Sequence, residues 1–201
     1  TSFLDILMSP ETNFEKAQND VFNSSRLCCN ENYRDIEVDR KNNYVVLSLA
    51  PNPKHRFGSI EIIKRICLVK NSLKVNWSLL NTGNSVERFN FASRLELSFA
   101  SELATELRGL RENGEEKLFN LPADLNSFIR IQAYDKENDV KINIQAERSI
   151  NWWVYPVKTC TKVKNSLGQA YQSTSISPVY SLVLAPGESW ATGIQLDFQK
   201  A

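Results

Sequence analysis

The 201-residue sequence predicts an all-β fold, an antiparallel β-sandwich with few short helices, formed as a single domain over residues 1–201. Three observations support this prediction. Apolar and polar residues alternate in many segments, which is the period of a strand that buries one face. Turn residues separate these segments at hairpin spacing. The strand–helix–strand alternation that is typical of a parallel sheet does not occur along the sequence.

The strands with strict alternation are the clearest elements. Trp77 has an apolar neighbour at each second position between Leu73 and Leu79, so it is predicted to lie in the core. Similar alternation occurs at 95–99, 140–146 and 194–198. Further strands are predicted at 33–40, 44–49, 60–69, 127–134, 150–157 and 179–184. The sequence therefore predicts about ten strands.

Turns and short helices complete the predicted elements. Asn, Gly, Asp and Pro favour turns at 41–43, 81–84, 136–139 and 185–188. Thr12 and Glu15 have the spacing of a capping box and predict a short helix after Thr12. A second helix is predicted at 101–111, because Leu103, Leu107 and Leu110 share one helical face.

Composition excludes some classes of function. The chain has 24 Lys+Arg against 23 Asp+Glu, a net charge of +1, which argues against a nucleic-acid partner. No apolar run reaches the roughly 18 residues that a membrane span needs, so no membrane partner is expected. The four cysteines, Cys28, Cys29, Cys67 and Cys160, lack the C-x-x-C spacing of a metal or redox site. Reduced thiols and a cytoplasmic location are therefore expected.

The sequence offers no recognisable catalytic machinery. His55 is the single histidine and lies in a polar segment, whereas histidine metal sites and Ser-His-Asp triads need partners placed around the imidazole. Paired carboxylates could hydrolyse a glycosidic bond. However, Glu61, Glu96, Glu102 and Glu106 are interpreted as solvated or ion-paired. We therefore predict no catalytic residues, no metal ligands and no cofactor in this chain.

Aromatic residues near the C-terminal end are the candidate site residues. An exposed indole offers a flat apolar face for the C–H side of a sugar, and an N–H donor. Adjacent strand residues point to opposite faces, so one of Trp152 and Trp153 is expected in the core and the other outward. The outward indole either binds carbohydrate or packs under a loop or at a domain interface. The candidate carbohydrate-binding residues are Trp152, Trp153, Tyr155, Tyr171 and Trp190.

Several segments resemble, in order, the C-terminal β-sandwich domain of glycoside hydrolase family 57, of the α-amylase and 4-α-glucanotransferase type. The first pair is EIIKRICL at 61–68 followed by LKVNWSLLN at 73–81. FASRLEL at 91–97, WVYPVKT at 153–159 and LVLAPGESW at 182–190 are similar to the later segments of that domain. The resemblance spans nearly the whole chain.

This resemblance implies a galactose mutarotase-like supersandwich that forms the C-terminal part of a longer enzyme. In that family the catalytic carboxylates lie in an N-terminal barrel, which would be the partner of this domain. The expected function is a non-catalytic domain that supports the barrel of an α-glucan hydrolase or glucanotransferase and contacts α-1,4-glucan. An autonomous carbohydrate-binding module is the alternative. An aldose epimerase-like enzyme is a third possibility, which the single histidine His55 disfavours.

Overall fold

The computed structural model describes residues 3–18, 33–49, 56–102, 105–163 and 166–200. Within these ranges it contains twelve strands and one short helix. In chain order the elements are β1 (Leu4–Met8), α1 (Phe14–Gln18), β2 (Arg34–Asp39), β3 (Tyr44–Leu49), β4 (Ile60–Val69), β5 (Ser72–Asn81), β6 (Glu87–Leu97), β7 (Thr105–Leu110), β8 (Glu116–Phe119), β9 (Ala123–Asp135), β10 (Val140–Val163), β11 (Ser166–Leu184) and β12 (Ser189–Lys200). No described helix is long and apolar enough to cross a membrane.

The strands form one antiparallel sheet that folds over on itself. Its order is β1-β6-β11-β10-β12-β5-β4-β3-β2, while β9 pairs with β10, β7 with β9, and β8 with β7. Strands β1 and β6 lie across from β5: the Phe91 ring of β6 lies 6.0 Å from the Trp77 ring. The Trp77 indole also donates a hydrogen bond to Asp5 of β1, at 3.0 Å. The predicted all-β antiparallel sandwich is confirmed.

The long strand β10 belongs to both layers of the sandwich. Its first part pairs with β12 as far as Ala146. Its later part pairs with β11 from Asn151 onward. We call β1, β6, β11 and the later part of β10 the first layer. The second layer comprises the first part of β10 with β12, β5, β4, β3 and β2. The two strands predicted at 140–146 and 150–157 are therefore one strand that bends between the layers.

Two apolar clusters lie on opposite sides of the first layer. The main core fills the space between the layers and contains Trp77, which is 1% exposed, as the alternation predicts. A second cluster lies on the outer side of the first layer, and α1 packs on it through Ala17 and Phe14. Its other members are Ile6, Met8, Ala92, Trp153, Tyr155 and Val179, with Leu4 and Val157 at its margin.

A buried ion pair joins β1 to the second layer. Lys64 Nζ lies 2.6 Å from Asp5 Oδ2, and both side chains are almost fully buried. Lys64 also donates to the carbonyl oxygen of Phe3 at 2.8 Å. The Trp77 indole and the Tyr33 hydroxyl donate to the two Asp5 carboxylate oxygens. Because a buried charge that loses its partner is strongly destabilising, this network fixes β1 in one position.

The helix predicted at 101–111 is wrong, because 105–110 form strand β7. The strand pairs with β8 on one side and β9 on the other. Gly109 disfavours a helix, and a Cβ at this position would collide with the Phe128 ring. Pairing with two strands thus overrides the helical spacing of Leu107 and Leu110. The third leucine of the predicted helix, Leu103, lies outside the described residues.

The short N-terminal helix and the predicted turns are present. Helix α1 begins at Phe14, and its cap is Asn13, whose side chain accepts a hydrogen bond from the Lys16 amide at 3.0 Å. The capping box assigned to Thr12 is therefore wrong by one residue. Asn43, Asp139 and Gly187 have positive φ in the turns before β3, β10 and β12, as predicted from their residue types.

Strands β1 and β8 have no counterpart among the predicted elements. Strand β1 has the sequence LDILM, in which four of the five residues are buried. It lacks alternation because one side faces the main core and the other faces the second cluster. A short apolar run of this kind does not reveal its secondary structure by period alone.

Candidate functional site

Trp152 lies inside the main core. Its side chain is 0% exposed, and its indole N–H donates to the Phe128 carbonyl oxygen at 2.8 Å. The indole face and its single donor are both occupied by the protein. Trp152 therefore offers no surface to a sugar in this conformation.

Trp153 and Tyr155 point to the opposite side of β10, as strand alternation requires. They are nevertheless covered: they are 8% and 7% exposed, and the Phe14 ring of α1 lies 6.4 Å and 6.3 Å from their rings. Trp153 pairs with Asp124 of β9 across the sheet. Burial raises the pKa of Asp124, and the interaction with Trp153 opposes that rise. Of the two alternatives given for the outward indole, the structure shows packing under another segment of the chain, and the covering segment is helix α1.

Tyr171 lies far from Trp190. It is half-buried on β11, and its hydroxyl shares a hydrogen bond of 2.8 Å with Thr174 Oγ1. Burial raises the pKa of its phenol. Nine residues separate it from Tyr180 on the same strand, which corresponds to about 30 Å. The structure therefore does not bring Tyr171 and Trp190 into one site.

Trp190 is the predicted residue that lines a cavity. It is half-buried on β12, and its ring makes an edge contact with the Tyr180 ring at 4.8 Å. The Arg148 guanidinium lies over the indole at 5.7 Å from its centre. We call this cavity of about 430 Å³ the Trp190 hollow. Its lining also includes Ser149, Ile150, Asn151, Val179, Ser181 and Leu182.

The Trp190 hollow exists because β10 changes its partner strand here. Backbone pairing of β10 with β12 ends at Ala146, and its pairing with β11 begins at Asn151. Tyr180 also lines the hollow, and its hydroxyl accepts a hydrogen bond from Thr192 at 3.4 Å. Burial raises the pKa of Tyr180 to about 12. Its phenol therefore stays neutral at physiological pH.

A second cavity lies over the middle of β12, on its outer face. We call this cavity of about 530 Å³ the Gly193 hollow. A Cβ at Gly193 would collide with the Asn76 amide oxygen and would lie 3.1 Å from Glu147 Oε1. The missing side chain therefore lets these two polar groups converge above the sheet. Lys74, Gln145 and Gln195 add further polar groups.

The two hollows lie on opposite faces of the second layer, because Trp190 shares the inner face of β12 with Ile194 while Gly193 is on the outer face. Sequence reasoning identified Trp190 but missed the Gly193 hollow. The available signal was a glycine inside an alternating strand, which indicates a bulge or a close approach.

Carboxylates are dispersed in ion pairs. Glu96 lies 2.6 Å from Arg94, Glu102 lies 2.7 Å from Lys158, and Glu106 lies 3.1 Å from Lys136. The prediction that these three glutamates are ion-paired or solvated is confirmed. Glu106 also pairs with Arg108, which is the main reason that its pKa is lowered.

The described cavities do not assemble an acid–base pair. Glu147 is the carboxylate of the Gly193 hollow, and the Trp190 hollow contains none. Among the described residues, no group of three or more His, Cys, Asp or Glu side chains could hold a metal ion. His55, Cys28 and Cys29 lie outside the described residues, as does the side chain of Cys160. Cys67 is a free thiol.

The architecture is that of the galactose mutarotase-like β-sandwiches. The chain belongs to the family described as "Alpha-amylase/4-alpha-glucanotransferase, C-terminal", whose family model matches residues 1–194. A comparison with curated proteins gives no match.

Solved structures show the same fold. A 4-alpha-glucanotransferase from Thermococcus litoralis superposes with a TM-score of 0.74 at 13% identity, covering 98% of this chain and 27% of that chain. A putative aldose 1-epimerase from Escherichia coli K12 has a TM-score of 0.66 at 13% identity, covering 86% and 70% of the two chains. A GalM/aldose epimerase homologue from C. elegans has a TM-score of 0.65 at 11% identity, covering 87% and 70%. The chain thus spans about a quarter of the glucanotransferase.

Proposed function

We propose that this chain is the non-catalytic C-terminal β-sandwich domain of an α-glucan-processing enzyme of glycoside hydrolase family 57. Its partner is an N-terminal catalytic barrel in the same parent chain, and the parent enzyme is a hydrolase or glucanotransferase. The placement of the carboxylates carries this proposal. Hydrolysis or transfer of a glycosidic bond needs two converging carboxyl groups. Each hollow described above contains one at most.

The described hollows also disfavour an aldose epimerase-like activity. Epimerisation at the anomeric carbon proceeds by ring opening, which needs a base for the C1 hydroxyl and an acid for the ring oxygen. Glu147 is the one carboxylate of the Gly193 hollow, and burial keeps the Tyr180 phenol of the Trp190 hollow protonated. Likeness of fold to epimerase structures does not supply the missing group. The cytoplasmic location expected from reduced cysteines remains part of the proposal, and the free Cys67 thiol supports it.

We further propose that the two hollows, one on each face of β12, contact α-1,4-glucan. Trp190 offers part of an indole face, while Asn76 and Gln145 offer amide donors and acceptors for sugar hydroxyls. Each hollow has a volume within the usual range for small-molecule sites. These two hollows replace the buried pair Trp152 and Trp153 as the candidate contacts.

The affinity of the two hollows for α-1,4-glucan is expected to be low. If a half-buried indole offers about 50 Å² to a sugar, burial contributes about 1.3 kcal/mol. Millimolar binding already requires about 4.1 kcal/mol, and ordering the ligand opposes binding. The domain alone therefore binds glucan weakly, and the catalytic part supplies most of the affinity. Micromolar binding by this chain alone would instead favour the autonomous carbohydrate-binding module.

An activity measurement tests the non-catalytic role. The 201-residue chain is incubated with maltoheptaose, and we expect neither reducing sugar nor longer and shorter products above a buffer blank. The matched control is the Glu147→Gln variant, which should behave identically. Activity in the wild-type chain that disappears in Glu147→Gln would contradict the proposal, because it would place the chemistry in this domain.

A titration tests the glucan contact. Maltoheptaose is added up to about 20 mM while backbone NMR shifts are followed, a range that covers millimolar dissociation constants. We expect shifts around both hollows that weaken in Trp190→Ala. Tyr171→Ala, an aromatic deletion far from the hollows, is the matched control and should leave the shifts unchanged. Equal shifts in both variants, or none in the wild-type chain, would leave the supporting role without glucan contact.

A further inference from the structure

The inner side of the second layer ends in an exposed apolar patch. Val38 pairs with Val45, Val45 with Ile66, and Leu68 with Leu73. Directly paired residues point to the same side of a sheet, so all five lie on one face. They line a hollow of about 350 Å³, in which Val38 is 57% exposed and Leu68 is 53% exposed. We call these five residues the inner-edge patch.

The inner-edge patch continues the main core beyond the cover of the first layer. Ile66 and Leu73 pack against the main core. Lys64, two residues before Ile66 on the same side of β4, is buried by its contact with Asp5 of β1. Leu68 lies four residues beyond Lys64, which is about 13 Å along the strand, and there the cover ends. A contiguous exposed apolar surface of this kind typically marks a protein interface.

The beginning of β1 lies beside the patch. The carbonyl oxygen of Phe3 accepts the hydrogen bond from Lys64, and the backbone of Phe3 has a φ of 61°, so the chain turns there. Lys64 is followed on its own face by Ile66 and Leu68. Phe3, the first described residue, therefore lies close to the patch.

The direction of β1 supports this placement. Leu7 pairs with Phe91, and the Phe91 ring contacts Trp190, which pairs with Leu79. Leu79 lies at the end of β5 away from Leu73. From Phe3 onward, β1 therefore runs away from the inner-edge patch. The Phe3 end of β1 is therefore the end nearer the patch.

We propose that the inner-edge patch is the docking surface for the catalytic part of the parent enzyme that precedes this domain. This inference rests on the proposed function. The matching glucanotransferase has most of its length outside the matched region, since the chain covers 27% of it. The family description places this domain C-terminally, so the remainder arrives through Phe3. The expected partner surface is apolar, with charges that meet Asp39 and Arg40 at the rim of the patch.

Cysteine labelling in the intact parent enzyme tests the inference. Leu68→Cys and Val183→Cys are made separately in a Cys67→Ser background; the two native side chains are 53% and 51% exposed, and Val183 lies on β11. A polar maleimide is added under native conditions, and peptide mass spectrometry gives the labelling rate at each site. In the 201-residue chain alone, both sites should react at similar rates. In the intact enzyme, Leu68→Cys should react at least about ten-fold more slowly, because reaction requires opening of the interface.

The other outcomes separate the inference from the proposed function. Equal labelling of both sites in the intact enzyme overturns the docking surface. Protection of Val183→Cys instead means docking through another face, which overturns the inference and leaves the supporting role intact. Protection of Leu68→Cys in the isolated chain that grows with protein concentration identifies a second copy as the occupant and also overturns it. The maltoheptaose activity measurement tests the non-catalytic role independently of all three.

Discussion

The two sides of the first layer bury aromatic residues in different ways. On the inner side, Trp152 is 0% exposed between two layers of sheet. On the outer side, its neighbour Trp153 is 8% exposed beneath Phe14, which belongs to a helix of five residues. The Trp152 indole donates to the Phe128 carbonyl oxygen, while Trp153 pairs with Asp124 of β9. Both indoles are almost fully buried. However, two layers of sheet cover Trp152, whereas a single five-residue helix covers Trp153.

This difference shows what strand alternation determines. Alternation decides the side of the sheet to which a side chain points. It does not decide whether that side faces water, because the cover comes from a segment elsewhere in the chain. A five-residue helix is marginal without tertiary contacts, so the outer cover should open more readily than the main core.

The largest expected effect comes from the inner side. Trp77→Ala should lower the free energy of unfolding by about 3–5 kcal/mol, because it removes an indole from a closed core and leaves a cavity. The Asp5 carboxylate also loses its bond from the indole, which adds to the loss. Urea unfolding measures the change. A loss below about 1 kcal/mol would contradict the core position of Trp77, since only exposed sites tolerate such changes.

The stability at alkaline pH tests whether the Tyr180 phenol on the inner side is shielded from water. Burial raises the pKa of Tyr180 to about 12 from its ordinary value of 10.0. Between these pH values the unfolded chain binds fewer protons than the folded chain, so stability falls as pH rises. The full drop is about 2–3 kcal/mol. Unfolding curves at pH 9 and above measure it, and Tyr180→Phe, which cannot ionise, is the control. If wild type and Tyr180→Phe lose stability equally, the phenol is not desolvated.

The smallest expected effect comes from the outer side. Phe14→Ala should cost about 1–2 kcal/mol, because the half-buried ring leaves a site that can partly collapse. Trp153 should become accessible to acrylamide quenching, whereas the fluorescence of the main-core indoles should not change. Lys16→Ala, at an exposed position of the same helix, should change neither quantity. Unchanged quenching in Phe14→Ala would mean that α1 is not the cover of Trp153.

Elements that depend on contacts within one segment could be predicted from the sequence, whereas elements that depend on contacts between distant segments could not. Turns at Asn43 and Asp139 were predictable, because the tolerance of Asn and Asp for positive φ is a local property. Strand β7 was not, because its Gly109 makes sense only beneath the Phe128 ring of another strand. The same reason explains why β1 was missed. Its two buried sides are defined by β4 and α1, which lie elsewhere in the sequence.

The candidate site divides in the same way. Trp190 was predictable as an aromatic residue near a turn, but its hollow depends on the point at which β10 leaves β12 and joins β11. The Gly193 hollow depends on Asn76 and Glu147, which reach over the glycine from two different strands. The alternation of residues within a single strand does not predict these contacts between strands.

By itself, the sequence determined the all-β class, the hairpin turns, the burial of Trp77 and the lack of an assembled histidine site. Each of these depends on residue type and on spacing within one segment. Only the tertiary structure decided that Trp153 is covered, that Asp5 meets Lys64 in the core and that Leu68 lies uncovered. These outcomes depend on contacts between segments distant in sequence, such as the 2.6 Å ion pair between β1 and β4. The free energy of such contacts arises only when the two layers pack together, so it cannot be deduced from the sequence of any single strand.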